Sequence, residues 1–223
     1  MKYLFVVAHP DDETLGAGGT IYNLIKKEND VVVCILCGEA KARKITQKEI
    51  GMKEQLENSL KILGVSNYIL GNFPNIEFNT VPHIEIVQFI EKAIVDSKPD
   101  IVVTHFYDDL NSDHKITSEC CDEAIRFFQR RDDIKPIKKY MYMEVLSSTD
   151  WALNNSFKPN YFYEINEEGL AKKIESLKLY DGALRKFPQP RSEENIKALA
   201  TYRACQSKLN YAESFMVAFE REN

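Results

Sequence analysis

The 223-residue sequence lacks any long hydrophobic run and has no marked excess of one charge. Its 29 Lys and Arg residues are scattered against 34 Asp and Glu residues, so no basic stripe is present of the kind that binds a nucleic acid backbone. The first apolar segment, KYLFVVA at 2–8, ends at His9 and is too short for a signal peptide or a membrane span. These absences predict a cytoplasmic protein with no nucleic acid partner and no integral membrane segment.

Cysteine is scarce, and its pattern excludes a disulfide scaffold. The five cysteines are odd in number and lack the regular spacing of a disulfide framework, which is typical of reduced thiols in a cytosolic protein. Apolar residues make up 44% of the chain and charged residues 28%, as in ordinary globular proteins. The length suits one α/β domain, so we predict a single domain over residues 1–223.

Apolar runs that predict strands alternate with helical spacing along most of the chain. Strands are predicted at 2–8, 31–37, 68–70, 101–105 and about 139–146. Helices are predicted at 20–29, 46–63, 82–98, 113–130 and 167–185, with a last helical stretch after residue 192. The strands are nearly continuous apolar runs, which favours parallel pairing with both faces covered. The prediction is an α/β fold, a Rossmann-like three-layer arrangement with a mostly parallel central sheet flanked by helices.

Two loops rich in His and Asp follow predicted strands. AHPDDE at 8–13 follows the first, and a segment ending in YDDLNSDH at 107–114 follows the strand at 101–105. Because ligands in parallel sheets bind at the carboxyl ends of strands, we expect these loops to meet. Catalytic zinc takes three protein ligands and leaves a fourth position for water, and His9, Asp12 and His114 supply such a set. Spacing alone does not decide whether Asp11 or Asp12 ligates and which of them faces the substrate.

Each candidate residue also has an ordinary structural explanation. The aspartates after His9 are suitable helix caps, and His114 could be a solvated residue at a helix start. His105 could be structural at its strand end, and Asp109 either binds substrate or caps its loop. Arg191 either anchors a negative group of the substrate or pairs with a neighbouring glutamate at 193 or 194.

The segment AHPDDETLGAGG at 8–19 resembles the signature of the PIG-L (LmbE-like) family of zinc-dependent de-N-acetylases. DLNSDH at 109–114 is similar to the family's second motif, and KPDIVVTH at 98–105 is similar to the strand before it. Further similar segments are FPNIEF at 73–78, PQPRS at 188–192 and YAESF at 211–215. The resemblance therefore covers nearly the whole chain.

The resemblance implies roles for individual residues. It implies zinc on His9, Asp12 and His114, with Asp11 as the general base, although Fe²⁺ or another divalent metal could take the same ligands. It also implies that Asp113 supports a catalytic imidazole three residues before the third metal ligand.

This sequence departs from the family at that imidazole, because it has Asn111 there. Asn can donate a hydrogen bond to an oxyanion but cannot deliver a proton at neutral pH. The acid role would then fall to His105, to Asp11 after it accepts a proton, or to a water. The expected lining of the substrate site differs as well. The family often has arginine at two positions, where this chain has Met52 or Lys53 at one and Glu77 at the other. Asn75 and Gln189 likewise replace the commoner Asp and His.

The resemblance implies a hydrolase that removes an N-acetyl group from an amino sugar or a sugar conjugate. Asp109 and Arg191 are the candidate substrate-binding residues. One alternative is an amidase acting on another small N-acyl metabolite. The other is a non-catalytic, metal-dependent binding protein, which the loss of histidine at Asn111 suggests. A homo-oligomer is compatible with the sequence.

Overall fold

The computed structural model describes residues 1–38, 51–151 and 153–222, and the described strands form one sheet. The strands are β1 (Lys2–Val7), β2 (Asp30–Ile35), β3 (Asn67–Leu70), β4 (Ile101–His105), β5 (Lys139–Met143), β6 (Tyr161–Glu164) and β7 (Ala212–Glu220). They lie in the order β3-β2-β1-β4-β5-β7-β6. The pairs among the first five in that order are parallel, which confirms the prediction of a mostly parallel sheet.

Two of the strands, β6 and β7, were not predicted from the sequence. β7 pairs antiparallel with both β5 and β6 and so adds a hairpin-like edge to the parallel sheet. β7 lies in the region where the sequence predicted a helical stretch, but that helix ends at Ser207. β6 is only four residues long and half-buried, which leaves little periodic signal.

The helices match the predicted ones with corrected bounds. They are α1 (Asp12–Lys26), α2 (Met52–Leu63), α3 (His83–Ser97), α4 (Ser112–Ala124), α5 (Asn166–Leu177) and α6 (Glu193–Ser207). The predicted helix at 46–63 begins at Met52 among the described residues, and its first positions lie outside them. It ends at Gly64, which adopts φ 82 as a left-handed cap. The predicted helices at 113–130 and 167–185 are shorter than expected.

Helix α1 starts eight residues earlier than the sequence predicted. The glycines at 16, 18 and 19 have low helix propensity, which hid its first turns. Ala17 has non-helical angles (φ −146, ψ 16), so the helix is kinked there. A Cβ at Gly19 would lie 2.9 Å from side-chain atoms of Ile165, so a glycine is needed for this close packing.

The core lies in two layers, one on each face of the sheet. Alternate residues of β1 point to opposite faces, so Phe5 and Val7 belong to one apolar cluster and Leu4 and Val6 to the other. Helices α1, α2, α5 and α6 cover the first face, and α3 and α4 cover the second. This is the three-layer α/β arrangement that the sequence predicted. Among the described residues, no helix is long and apolar enough to cross a membrane.

Candidate metal and catalytic site

The site lies at the carboxyl ends of β1 and β4. The turn between β1 and α1 contains His9 and Asp11, and Asp12 is the first residue of α1. The loop between β4 and α4 contains Asp109 and Asn111. The two strands are neighbours in the sheet, so the two polar loops meet at one edge as expected.

His9, Asp12 and His114 form a group whose potential ligand atoms all lie within 4.8 Å of one another. Asp12 Oδ2 is 3.2 Å from His9 Nδ1 and 3.1 Å from His114 Nε2. In the part of the chain that the structure describes, this is the one group of three or more such side chains with this geometry. The structure therefore brings together the three residues that the sequence proposed as metal ligands.

The electrostatics of this group suit a cation. Burial disfavours charge on Asp12, but His114 and His9 outweigh it and hold the pKa of its carboxyl well below the usual range. Burial also disfavours charge on His114, yet Asp12 and Asp109 raise the pKa of its imidazole to about 10. The negative charge of Asp12 and Asp109, which stabilises the protonated imidazole, also favours a divalent metal at this position. His114 Nε2 is buried and makes no hydrogen bond of acceptable geometry. The lone pair of this nitrogen is the one that a metal would take.

Asp109 lies behind His114. Its Oδ1 is 3.2 Å from His114 Nδ1 and accepts a hydrogen bond from the amide of Asn111 at 2.9 Å. Its Oδ2 accepts hydrogen bonds from the hydroxyls of Ser148 and Thr149. Asp109 has no exposed surface, so this geometry favours support of the His114 ring over the predicted contact with substrate.

Asp113 supports the other histidine. Its Oδ2 lies 3.1 Å from His9 Nε2 and accepts a hydrogen bond from the amide of Ile76 at 2.6 Å. Its Oδ1 accepts from the amide of Phe78 at 3.2 Å. The family resemblance pairs Asp113 with an imidazole that this chain lacks, whereas in the structure its carboxylate contacts the imidazole of His9 and accepts hydrogen bonds from the loop at 76–78.

Asn111 is the N-cap of helix α4. Its Oδ1 accepts a hydrogen bond from the amide of Asp113 at 2.9 Å, as is common for Asn at this position. Asn111 is partly exposed. With Oδ1 in use as the cap, Nδ2 is the atom of this amide that can donate a further hydrogen bond.

His105 is fully buried beside the candidate ligand group, with its Nε2 3.6 Å from Asp12 Oδ2. Its ring stacks on that of His114 with centroids 3.9 Å apart, and its Nε2 accepts a hydrogen bond from the amide of Ala8 at 2.9 Å. Burial, together with the neighbouring charge of His114, lowers the pKa of His105 to about 3. A neutral ring without contact to solvent is poorly placed as a proton donor, so the geometry favours the structural explanation.

Asp11 precedes the candidate ligand Asp12 and has an unusual backbone. Its φ of 102 lies in the left-handed region, which costs a residue other than glycine about 1–3 kcal/mol. Its amide donates a hydrogen bond of 3.1 Å to Glu13 Oε2. Glu13 has no exposed surface, and burial raises the pKa of its carboxyl to about 7. The other oxygen of Glu13 accepts hydrogen bonds from Thr14 and Tyr180.

Arg191 reaches the site from the segment before helix α6. Its Nη1 donates to Asp11 Oδ2 at 3.0 Å, and its Nε donates to Ser147 Oγ at 2.7 Å. The sequence predicts either a substrate anchor or a pair with a glutamate at 193 or 194, whereas the partner in the structure is Asp11, which is 180 positions away in the sequence.

The loop after β5 also contributes residues to the site, which the sequence did not predict. Ser147 contacts Arg191, and Ser148 and Thr149 contact Asp109, so this loop connects the partner of Asp11 to the partner of His114. The segment SST has no spacing typical of a catalytic motif, so no signal in the sequence could have found it. Glu13 was part of the recognised motif, but nothing in the motif shows that it holds the Asp11 backbone.

The chain is similar to proteins of known structure and activity. A diacetylchitobiose deacetylase from Thermococcus kodakarensis is 26% identical over 231 residues, which cover 95% of this chain and 81% of that protein. A conserved protein from Thermus thermophilus has 21% identity, a TM-score of 0.77 and coverage of 99% and 96% of the two chains. A 4-carboxy-2-hydroxymuconate hydratase from Pseudomonas putida has 19% identity, a TM-score of 0.76 and coverage of 100% and 98%.

The structural likenesses show a shared fold, and the hydratase among them shows that this fold does not determine the reaction. The family model is more specific. The model described as PIG-L, GlcNAc-PI de-N-acetylase, matches residues 4–125, more than half of the chain and the part that contains the whole candidate metal group. The chain therefore belongs to the PIG-L family of de-N-acetylases.

Proposed function

We propose that this protein is a zinc-dependent hydrolase that removes an N-acetyl group from an amino sugar or a sugar conjugate. The observation that carries the proposal is the group of His9, Asp12 and His114 with Asp11 beside it. Family membership and the 26% identity to a diacetylchitobiose deacetylase support the same reaction and substrate class.

Two histidines and one carboxylate are a donor set that suits zinc, and Fe²⁺ or another divalent ion could use the same residues. Bound there, the metal would polarise the acetyl carbonyl and lower the pKa of a water molecule. The protein's own contribution is to fix the ligands. Asp109 and Asp113 hold the two imidazoles by their other ring nitrogens, as is usual for metal-binding histidines.

In the proposed reaction, Asp11 accepts a proton from the attacking water as the C–O bond forms. The same carboxyl then gives that proton to the leaving nitrogen as the C–N bond breaks, which yields the free amine and acetic acid, which ionises to acetate at neutral pH. We assign both steps to Asp11 because His105 is buried and neutral. Asn111 would donate a hydrogen bond from Nδ2 to the oxyanion.

An acetate-release assay tests the activity. The protein is stripped of metal, reloaded with Zn²⁺ or Fe²⁺, and incubated with N-acetylglucosamine, N,N'-diacetylchitobiose, N-acetylated glycosides and simple N-acyl amines. We expect acetate from at least one sugar in the metal-loaded protein and none in the stripped protein. Turnover of simple N-acyl compounds without turnover of any sugar would instead support the amidase alternative.

An Asp11→Asn variant tests the mechanism. It removes the base but keeps the size of the side chain, so we expect kcat to fall on the order of 10²- to 10⁴-fold. The metal content should stay the same, since Asp11 lies outside the ligand group. Asp181→Asn, which changes an exposed aspartate, is the matched control. Full activity in Asp11→Asn would rule out this role.

Asn111 favours a second function, binding of an acetylated ligand without turnover. An amide at this position cannot replace an imidazole as a proton donor. This function predicts that the zinc-loaded protein binds an N-acetyl sugar in calorimetry but releases no acetate over hours. Asn111→His would then be expected to restore turnover.

We also propose that the chain forms a single domain and acts in the cytoplasm on a small-molecule substrate. Limited proteolysis and cell fractionation test the first two points. Light scattering of the purified protein determines whether it is a homo-oligomer.

A further inference from the structure

Two adjacent carboxylates at this site have different roles, and their order in the sequence does not explain the difference. Asp12 lies in the candidate ligand group, and Asp11 does not. A carboxylate so close to a metal site could become a fourth ligand and occupy the position that a catalytic metal leaves open. Something in the structure must therefore keep the side chain of Asp11 aside.

The side chain of Arg191 is bound at several points around Asp11. Nη1 donates to Asp11 Oδ2 at 3.0 Å, while Nε donates to Ser147 Oγ at 2.7 Å and to the carbonyl of Leu146 at 3.3 Å. Only 12% of the side chain is exposed. A guanidinium fixed on two nitrogens has a defined direction, which a single ammonium would not have.

The backbone around Arg191 is fixed as well. Ser192, the next residue, is the N-cap of α6 and accepts a hydrogen bond from the amide of Asn195 at 3.2 Å. Asn195 Nδ2 in turn donates to the carbonyl of Pro190 at 2.7 Å. The start of a helix therefore sets the position from which Arg191 reaches toward the sheet edge.

Asp11 is also constrained from the other side. Its strained backbone is held by the hydrogen bond from its amide to the buried Glu13. The backbone contact and the contact of Arg191 with the carboxylate together fix both ends of this residue. Strain of this kind persists where surrounding contacts hold the backbone in place, and it is concentrated at functional sites.

We propose that Arg191 is a positioning residue that holds the Asp11 carboxylate outside the metal's ligand set and keeps the coordination site open. This inference rests on the proposed function, since it takes the metal group and the role of Asp11 from it. It assigns to Arg191 a contact within the protein and not the predicted contact with substrate.

The test uses Co²⁺, whose visible absorption depends on its coordination number. The metal-stripped wild type, Arg191→Met, Arg191→Met/Asp11→Asn and Arg185→Met are each titrated with Co²⁺. We expect weaker and shifted visible bands in Arg191→Met, because Asp11 adds a ligand. The double variant should return to the wild-type spectrum. Arg185→Met should also give the wild-type spectrum, because Arg185 is exposed.

An unchanged spectrum in Arg191→Met would overturn the proposal, and so would a changed spectrum that the double variant does not reverse. Circular dichroism checks the fold of each variant. If Arg191→Met does not fold, Arg191→Lys is used in its place. Lysine keeps the positive charge but cannot donate from two nitrogens as Arg191 does. The spectrum of Arg191→Lys is expected to lie between those of the wild type and a protein with Asp11 bound, and a wild-type spectrum would count against the proposal.

Kinetics provide a second measurement once a substrate is known. We expect kcat of Arg191→Met to fall on the order of 10- to 100-fold, with KM within about threefold of the wild type. A rise in KM at constant kcat would show that Arg191 binds substrate instead. The cobalt spectra do not need turnover, so failure of the proposed function and failure of this inference remain distinguishable.

Discussion

At His114, the two ring nitrogens face two carboxylates, Asp12 on one side and Asp109 on the other. One carboxylate belongs to the candidate ligand group and the other fixes the ring. Asp109 in turn is held by the amide of Asn111 and by two hydroxyls of the loop after β5. The orientation of one proposed ligand thus depends on residues from three separate segments of the chain.

We predict that Asp109→Asn lowers the affinity for Zn²⁺ on the order of 10- to 100-fold, because the ring of His114 loses its charged partner. The affinity is measured by competition with a chromogenic chelator. Asp108→Asn, which changes the adjacent carboxylate outside this network, is the control and should bind zinc like the wild type. Equal affinities for the wild type and Asp109→Asn would show that Asp109 does not support the metal.

Residue type and position in the sequence left open, for Asp109 and His105, roles that their surroundings do not favour. Both residue types are common in catalytic sites, and both lie in the motif-bearing segment. Their complete burial and their hydrogen bonds to protein groups are properties of the folded chain. Sequence can suggest which side chains approach a site, but exposure to substrate depends on packing.

Among the elements, helix α1 has the most unusual construction. Its kink at Ala17 leaves the amides of Gly19 and Thr20 to donate to the carboxylate of Glu213 on β7, at 3.1 and 2.7 Å. Glu213 also accepts a hydrogen bond of 2.6 Å from Lys173 of α5, and both side chains are buried. The carboxylate therefore caps the second half of the helix and joins α1, α5 and β7 behind the site.

We predict that Glu213→Gln lowers the free energy of unfolding by about 3–5 kcal/mol, because it leaves the Lys173 ammonium buried without its counterion. Urea unfolding of the metal-free protein measures the change. Adding Lys173→Met to this variant should recover part of the loss.

Glu175→Gln is the matched control for that experiment. It breaks the exposed pair of Lys172 and Glu175, so a loss below about 1 kcal/mol is expected. If the loss in Glu213→Gln were no larger than in this control, the buried pair would have no special role in holding α1.

Across the whole molecule, the candidate metal group connects distant parts of the sequence. His9 and Asp12 follow β1, His114 lies in α4, and Arg191, from the segment before α6, contacts the adjacent Asp11. A metal bound by the first three residues would link the β1 turn to α4 in the folded state only. Metal binding should therefore stabilise the entire fold.

We predict that Zn²⁺ at 100 times its dissociation constant raises the free energy of unfolding by about 2.7 kcal/mol. Thermal and urea unfolding with and without metal measure the difference, and the midpoint should move with zinc concentration. Asp12→Asn should largely lose this shift, whereas Asp181→Asn should keep it. An equal shift in Asp12→Asn would place the stabilising metal elsewhere.

The sequence by itself determined the fold class, the parallel strands and the two loops that meet at their carboxyl ends. These features depend on local patterns, namely continuous apolar runs, helical spacing and polar segments directly after strands. The resemblance of residues 8–19 and 109–114 to one family added the ligand set, which the geometry of the described residues brings together. Short-range information was sufficient for all of these.

Only the tertiary structure decided the antiparallel edge of β6 and β7, the early start of α1 and the contacts of the site. A four-residue strand and a glycine-rich helix are stabilised by neighbours far away in the sequence, such as Ile165 against Gly19 and Glu213 against the α1 amides. The contact of Asp11 with Arg191 likewise joins residues 180 positions apart in the sequence. Such long-range contacts leave no periodic trace in the sequence, because each depends on where another segment packs.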